Sequence, residues 1–269
     1  MDKQISKEQL KQILLDILIN IDDFCKQNDI QYSLAFGTLL GAVRHHGFIP
    51  WDDDVDIMMT RENYEKFRSL YDSPTYPLAD LKTSTSHPVS MGKIYDSRTY
   101  FYYQGKIKRS YGVFVDVFPL DKVPDEIETR NSWLRQVRRY VKYNQFKNNT
   151  FAYTLGSSNL ITKVIGCIVK IFFSSKYIHY KLEYLFSKYK NEESSYLGVP
   201  AVMVMKKEFV TKIFPVHIFN EYTRLQFEGR YFPCITEYDN FLQIFYGDYM
   251  QLPPIEKRIG KHGILAFFK

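Results

Sequence analysis

The sequence predicts a mixed α/β first half followed by a mostly helical, basic second half. Apolar residues at helical spacing alternate with short apolar runs as far as Phe118, the signature of helices interleaved with strands. After Glu128 the strand pattern gives way to helical spacing, with basic residues between the apolar ones. The composition, 45% hydrophobic, 25% charged and 17% aromatic, belongs to a folded globular chain and excludes a disordered or low-complexity protein.

Residues 6–27 form the first expected helix. Leu10, Ile13, Leu14, Ile17, Leu18, Ile21 and Phe24 share a face, and Ser6 with Gln9 makes a capping-box pattern. The apolar run Ile30 to Phe36 suits a strand, Gly37-Thr38 punctuates it, and Leu39 to His46 suits a short helix ended by Gly47. Past Pro50, Val55 to Met59 reads as a second strand. A helix starting at Thr60 buries Tyr64, Phe67 and Leu70. Met91–Tyr95, Thr99–Tyr103 and Tyr111–Phe118 read as strands, with Gln104-Gly105 as a hairpin turn. Two or three basic helices follow. Thr223–Phe227 and Arg230–Cys234 then flank Glu228-Gly229 as a second hairpin, and Tyr238 to Phe245 suits a short helix. The expected boundary lies near Val123 to Asp125, dividing residues 1–124 from 125–269.

The net charge of +6 is unevenly distributed. Between Thr129 and Leu182 there is no Asp or Glu, while ten of the 36 Lys and Arg residues lie there. The remainder holds 26 basic against 30 acidic residues, a net of −4. Three scattered cysteines, Cys25, Cys167 and Cys234, exclude a disulfide framework and a four-ligand zinc site. Met1 to Gln9 is polar, unlike a signal peptide, and no apolar run reaches the roughly 18 residues that span a bilayer. A cytoplasmic protein is expected.

The most informative stretch is Tyr32 to Met58. On a strand, residues two apart share a face, so Asp54 and Asp56 project together while Val55 and Ile57 face the core. Two carboxylates that close repel unless a cation lies between them, and Mg²⁺ is the natural hard, oxygen-seeking choice. In Val113 to Phe118 the valines alternate on one face and leave Asp116 on the other, where it neighbours Asp54 and Asp56. Three carboxylates from two strands can hold one or two Mg²⁺ ions, as phosphoryl transfer requires. Gly37 and Thr38, just before a helix, can hold phosphate oxygens at its N-terminus, and Arg44 can reach the same oxygens. An Asp run after Pro-Trp is also compatible with a solvated turn, and Gly-Thr and Arg44 are weak signals singly. Their combination with an acid inside an apolar strand favours the metal site.

The run Gly37-Thr38-Leu39-Leu40-Gly41-Ala42-Val43-Arg44, followed by Gly47-Phe48-Ile49-Pro50-Trp51-Asp52-Asp53-Asp54-Val55-Asp56-Ile57, resembles the signature of the LicD family. Asp116 to Asp121, Phe245 to Met250 and Pro253-Pro254 are similar to its later motifs; Thr129 to Leu182 carries no resemblance. The resemblance implies a nucleotidyltransferase-type mixed sheet with flanking helices, and Asp54, Asp56 and Asp116 as a metal-holding catalytic triad. It implies Mg²⁺-dependent transfer of phosphocholine from CDP-choline to a sugar hydroxyl of a teichoic-acid or other cell-surface glycan precursor, with CMP released. Gly37, Thr38, Arg44 and Lys93 are then expected at the donor's phosphates. Choline's cationic end needs aromatic faces; Trp51 is favoured over Tyr102, Tyr103, Tyr111, Phe118, Trp133 and Tyr246 because it adjoins the acids. CDP-ribitol or CDP-glycerol as donor, a pyrophosphate-releasing nucleotidyltransferase, and a non-enzymatic adaptor are the alternatives.

Residues 159–176 interleave aliphatic side chains with Lys163, Lys170 and Lys176. They read either as a core helix beside a solvated basic face or as a peripheral contact, within residues 129–182, with an anionic membrane carrying a lipid-linked acceptor at its inner face. Nucleic acid ranks lower, since no nucleic-acid module is present. His45 and His46 end the short helix, and Lys257, Arg258 and His262 read either as a solvated basic tail, the favoured reading, or as contacts to donor or acceptor phosphates.

Overall fold

The computed structural model describes residues 3–84, 91–103, 107–109, 111–148, 159–259 and 265–269. Among them the chain forms helices and strands in mixed order, as the sequence predicts. It folds as two compact units, each discontinuous in sequence. The first comprises Met1–Leu78, Lys93–Pro119 and Val216–Lys269; the second comprises Ala79–Gly92 and Leu120–Pro215.

The first unit opens with α1 (Lys7–Gln27), whose N-terminus is closed by the expected capping box: the Gln9 amide donates to Ser6 Oγ at 3.2 Å and the Ser6 amide to Gln9 Oε1 at 3.0 Å. Its apolar stripe from Leu10 to Ile21 is buried. Of the run Ile30 to Phe36 only β1 (Ser33–Leu34) pairs as a strand, because the chain turns at Phe36 with φ of 42°. Helix α2 (Phe36–His45) therefore begins earlier than expected, and Gly37-Thr38 lie inside its first turn. It ends at His46, which takes the left-handed conformation at φ 56°, and the Gly47 amide returns to the Gly41 carbonyl at 3.3 Å.

β2 (Asp56–Thr60) pairs antiparallel with β1, Leu34 opposite Ile57. Thr60 caps α3 (Arg61–Leu70), which buries Tyr64 and Phe67. Leu70 is half exposed, contrary to expectation. Tyr71 takes its place, stacking on Phe67 at 4.6 Å while its hydroxyl donates to Asn20. After β3 (Leu78–Ala79) come β4 (Gly92–Tyr95), β5 (Thr99–Tyr103), β6 (Ile107–Arg109) and β7 (Phe114–Val123). The strand order β1-β2-β7-β4 places β7 beside β2. The Gln104-Gly105 turn lies outside the described residues, but β5 and β6 pair antiparallel around it.

In the second unit, α4 (Ile127–Asn148), α5 (Leu160–Phe172) and α6 (Ser175–Phe186) are followed by β8 (Tyr196–Gly198), α7 (Pro200–Met203) and β9 (Phe214–Pro215). Trp133 is buried on α4 and its indole N–H donates to the Leu185 carbonyl at 2.8 Å. It is thus a core residue and not part of a choline cage. The first unit resumes with β10 (Tyr222–Phe227), β11 (Arg230–Ile235), α8 (Tyr238–Tyr246) and β12 (Leu265–Phe268), which pairs with β5. Glu228 and Gly229 both have positive φ, the two-residue turn that matches hairpin twist. Cys25 and Cys234 are buried, free and core-packed.

Candidate active site

The residues singled out in the sequence, Gly37, Thr38, Arg44, Trp51, Asp54, Asp56, Lys93 and Asp116, all belong to the first unit. Backbone hydrogen bonds bring the acids together. The Asp116 amide donates to the Val55 carbonyl at 2.9 Å, so β7 delivers Asp116 beside the strand entrance that carries Asp54 and Asp56. On the other side, the Asp56 amide donates to the Thr38 hydroxyl at 2.8 Å, and the Ala35 amide to the Asp56 carbonyl at 2.9 Å. Thr38 is buried; its oxygen positions Asp56.

The crowded acids act on one another. The Asp56 carboxyl is pushed well above the usual carboxylate range, first by desolvation and then by the charges of Asp54, Asp116 and Asp52, while Lys93 acts in the opposite direction. Lys93 is only 4% exposed. Its ammonium contacts the Asp116 carboxylate and lies 3.5 Å from the centre of the Phe114 ring, a cation held between an anion and an aromatic face.

Gly37 permits a close approach. A Cβ on it would lie 2.7 Å from Asp52 Oδ2, so a carboxylate oxygen stands against the first turn of α2. The turn itself is strained, since a bulky residue rarely adopts positive φ. Phe36 is clamped there by Phe118, Phe241 and Phe245, with ring centres 4.7–5.8 Å away. Phe118 thereby belongs to this packing cluster.

Two residues that the sequence offered only as minor candidates, Tyr246 and Arg258, join the site. Tyr246 is 41% exposed as a residue, yet its hydroxyl is pushed above its ordinary pKa, first by desolvation and then by the charges of Asp56, Asp52 and Asp54. Its place at the end of α8, within a motif already noted, was the available signal. The second is Arg258: its guanidinium lies 5.6 Å from the Trp51 ring centre and its Nε donates to the Pro253 carbonyl at 2.8 Å. The tail sequence marks Arg258 as one of several basic residues able to reach phosphate, with no sign of its place beside Trp51. Arg44 donates to the Tyr249 carbonyl at 2.6 Å; burial lowers its pKa, and so does the nearby Arg258 charge, against Tyr246. Burial and Arg44 likewise depress the neighbouring His45, so it stays neutral near pH 7. His87, His262 and the side chain of Tyr103 lie outside the described residues.

Among the described residues no three His, Cys, Asp or Glu side chains already converge in metal-holding geometry. The donor chemistry fits a hard divalent cation nonetheless: Asp54, Asp56 and Asp116 offer carboxylate oxygens, and the crowding raises the Asp56 pKa, a cost that a cation would relieve.

A profile described as LicD/FKTN/FKRP, nucleotidyltransferase domain, matches residues 29–154. Over 264 residues, 97% of each chain, the sequence is 31% identical to the lipopolysaccharide cholinephosphotransferase LicD of Haemophilus influenzae. The chain belongs to the LicD family. Membership makes it a phosphotransferase enzyme. Shorter similarities link this LicD-family chain to an uncharacterized protein of Rickettsia typhi, 40% identical over 21% of this chain and 18% of the relative. One of Rickettsia prowazekii is 38% identical over 23% of this chain and 25% of the relative. The profile's span contains Asp54, Asp56, Lys93 and Asp116, whereas Tyr246 and Arg258 fall beyond it.

Proposed function

We propose that this enzyme transfers phosphocholine from CDP-choline to a sugar hydroxyl of a cell-surface glycan precursor, teichoic acid or a related glycan, and releases CMP. The observation that carries this reading is the end-to-end similarity to a cholinephosphotransferase, joined to the crowding of Asp54 and Asp116 around Asp56. Asp54, Asp56 and Asp116 are the residues that would hold Mg²⁺, one or two ions. When bound there, the cation would supply positive charge to the donor's diphosphate. Asp116 accepts the proton of the acceptor hydroxyl, and Lys93 orients its carboxylate for that role. The hydroxyl oxygen forms the new bond to the choline-bearing phosphorus as the bond to CMP breaks. Arg44 and Arg258 bind donor phosphate, Gly37 leaves room beside the first turn of α2, Thr38 holds Asp56, and Tyr246 donates a hydrogen bond. Trp51 offers its face to the trimethylammonium group once Arg258, which lies over that ring at 5.6 Å, turns to the donor phosphate. A lipid-linked acceptor at the inner face of a membrane suits this chemistry.

The test is a thermal-shift panel with CDP-choline, CDP-ribitol, CDP-glycerol and CTP, each with Mg²⁺, followed by product analysis. Stabilisation by CDP-choline and release of CMP are expected. Pyrophosphate from CTP without CMP from CDP-choline would make the enzyme a nucleotidyltransferase proper, and response to CDP-ribitol or CDP-glycerol alone would change the donor.

A further inference from the structure

In the second unit, α5 turns its apolar side away from the core. Leu160, Ile161, Val164, Ile168, Ile171 and Phe172 are between 45% and 77% exposed, whereas only Gly166 and Val169 of this helix are buried. At 100° per residue those six side chains fall within an arc of about 120°, one continuous aliphatic crest. The helix packs against α4 through its other side. On α4, Arg135, Arg138, Arg139 and Lys142 are exposed at i, i+3, i+4 and i+7, a basic stripe. On α6, Tyr177, Tyr180 and Tyr184 are exposed around Lys181, whose ammonium is 5.7–5.9 Å from each ring centre. Tyr140 of α4 meets Tyr177 in a T-shaped contact, and Tyr143 of α4 and Tyr177 each pack on Phe173 with tilted rings, which joins these three surfaces at one corner.

We propose that this face docks on a bilayer surface carrying anionic lipid, with α5 lying in the plane of the membrane interface. The charge selects the occupant. No Asp or Glu occurs between Thr129 and Leu182, so a second copy seated on the same face would set like charges against each other. The parts that protrude on α5 are aliphatic, whereas nucleic acid is bound through cations and stacking rings. Aliphatic crest, tyrosines and basic flanks together match the layers of an anionic interface. The 13 residues of α5 extend about 20 Å, short of the roughly 30 Å hydrocarbon core. Among the described residues no helix is long and apolar enough to cross a membrane.

This inference rests on the fold of the second unit and goes beyond the transfer reaction. Vesicle co-sedimentation of the full chain, without substrates, tests it. Binding to phosphatidylcholine vesicles containing phosphatidylglycerol is expected at low salt, with loss at high salt and on omission of the anionic lipid. Ile161→Glu with Ile168→Glu should abolish binding while leaving the thermal midpoint and transfer to a soluble acceptor unchanged. Arg138→Ala and Arg139→Ala should each weaken it about fivefold. Failure of the wild-type chain to co-sediment at low salt overturns the proposal. So does a dimer that Ile161→Glu dissociates, or binding to single-stranded RNA that competes with the vesicles. Loss of transfer in the panel above with vesicle binding intact would instead strike only the catalytic reading.

Discussion

The Lys93 ammonium is in contact with the Asp116 carboxylate, and both side chains are largely withdrawn from solvent, at 5% and 14% exposure. An ion pair in that setting stabilises less by existing than it destabilises by losing one partner. Lys93→Met should therefore cost about 3 kcal/mol of unfolding free energy, because Asp116 is left beside Asp56 without its cation. If Asp116 accepts the hydroxyl proton, transfer should fall on the order of 100-fold in the same variant. Lys93→Met combined with Asp116→Asn should recover most of the stability and none of the rate. Urea unfolding and a CMP-release assay read both quantities; wild-type turnover in Lys93→Met removes the pair from the mechanism.

The Trp51 ring centre lies 5.6 Å from the Arg258 guanidinium, so the ring already faces one cation. A cation–π contact in a partly desolvated place contributes about 0.5–2 kcal/mol. Trp51→Leu should therefore raise KM for CDP-choline by about two- to thirtyfold, with a smaller change in kcat. Trp51→Phe should fall between. Steady-state kinetics with varied donor decide the matter, and an unchanged KM in Trp51→Leu excludes this ring as the choline contact.

The acid cluster was legible because period-two alternation in a strand is strict: once Asp56 and Asp116 each lie among buried apolar neighbours, both must point out of the same core. The capping box at Ser6 and the hairpin at Glu228-Gly229 are equally local, and both form as expected. What the sequence concealed depends on distant partners. Phe36 starts α2 early because aromatic rings from β7 and α8 hold it at positive φ, and no local signal predicts that for a phenylalanine. Leu70 looked like a core residue until Tyr71 filled the space beside Phe67. Arg258 reads as tail, and its position follows from a carbonyl and an indole that only the folded chain supplies.

His179, buried on α6, should give the second unit a pH dependence. Its Nδ1 lies 3.1 Å from the Leu81 carbonyl and its Nε2 3.1 Å from Asn144 Oδ1. Desolvation lowers its pKa below 6.5, against the smaller opposing effects of the Leu81 hydrogen bond, Asp80 and Glu183. A depressed folded-state pKa means that the unfolded chain takes up the proton first. The contribution is thus complete above about pH 6.5 and is lost as pH falls through that value towards the folded pKa. Thermal midpoints measured from neutral to mildly acidic pH should decline in the wild type and decline less in His179→Gln. Identical slopes would show that this imidazole is not the titrating group.

Gly41 separates packing from propensity. Placed in a helix interior, alanine should stabilise by about 1 kcal/mol relative to glycine. Here a Cβ would lie 2.4 Å from the Gly47 carbonyl oxygen and 3.5 Å from the Ile49 amide, both backbone atoms that cannot swing aside. Gly41→Ala should therefore destabilise, by about 1–3 kcal/mol net, through overpacking. Because the displaced loop leads directly into Trp51 and Asp54, transfer should fall with it. Gly37→Ala meets a different neighbour, the Asp52 side chain at 2.7 Å, which can rotate. That variant should keep nearly full stability but raise KM for the donor, since the new methyl occupies the space beside the first turn of α2. Urea midpoints and donor KM for the two variants should thus move in opposite proportion. A Gly41→Ala protein as stable as wild type would mean that the Gly47 turn is not packed against α2 as described.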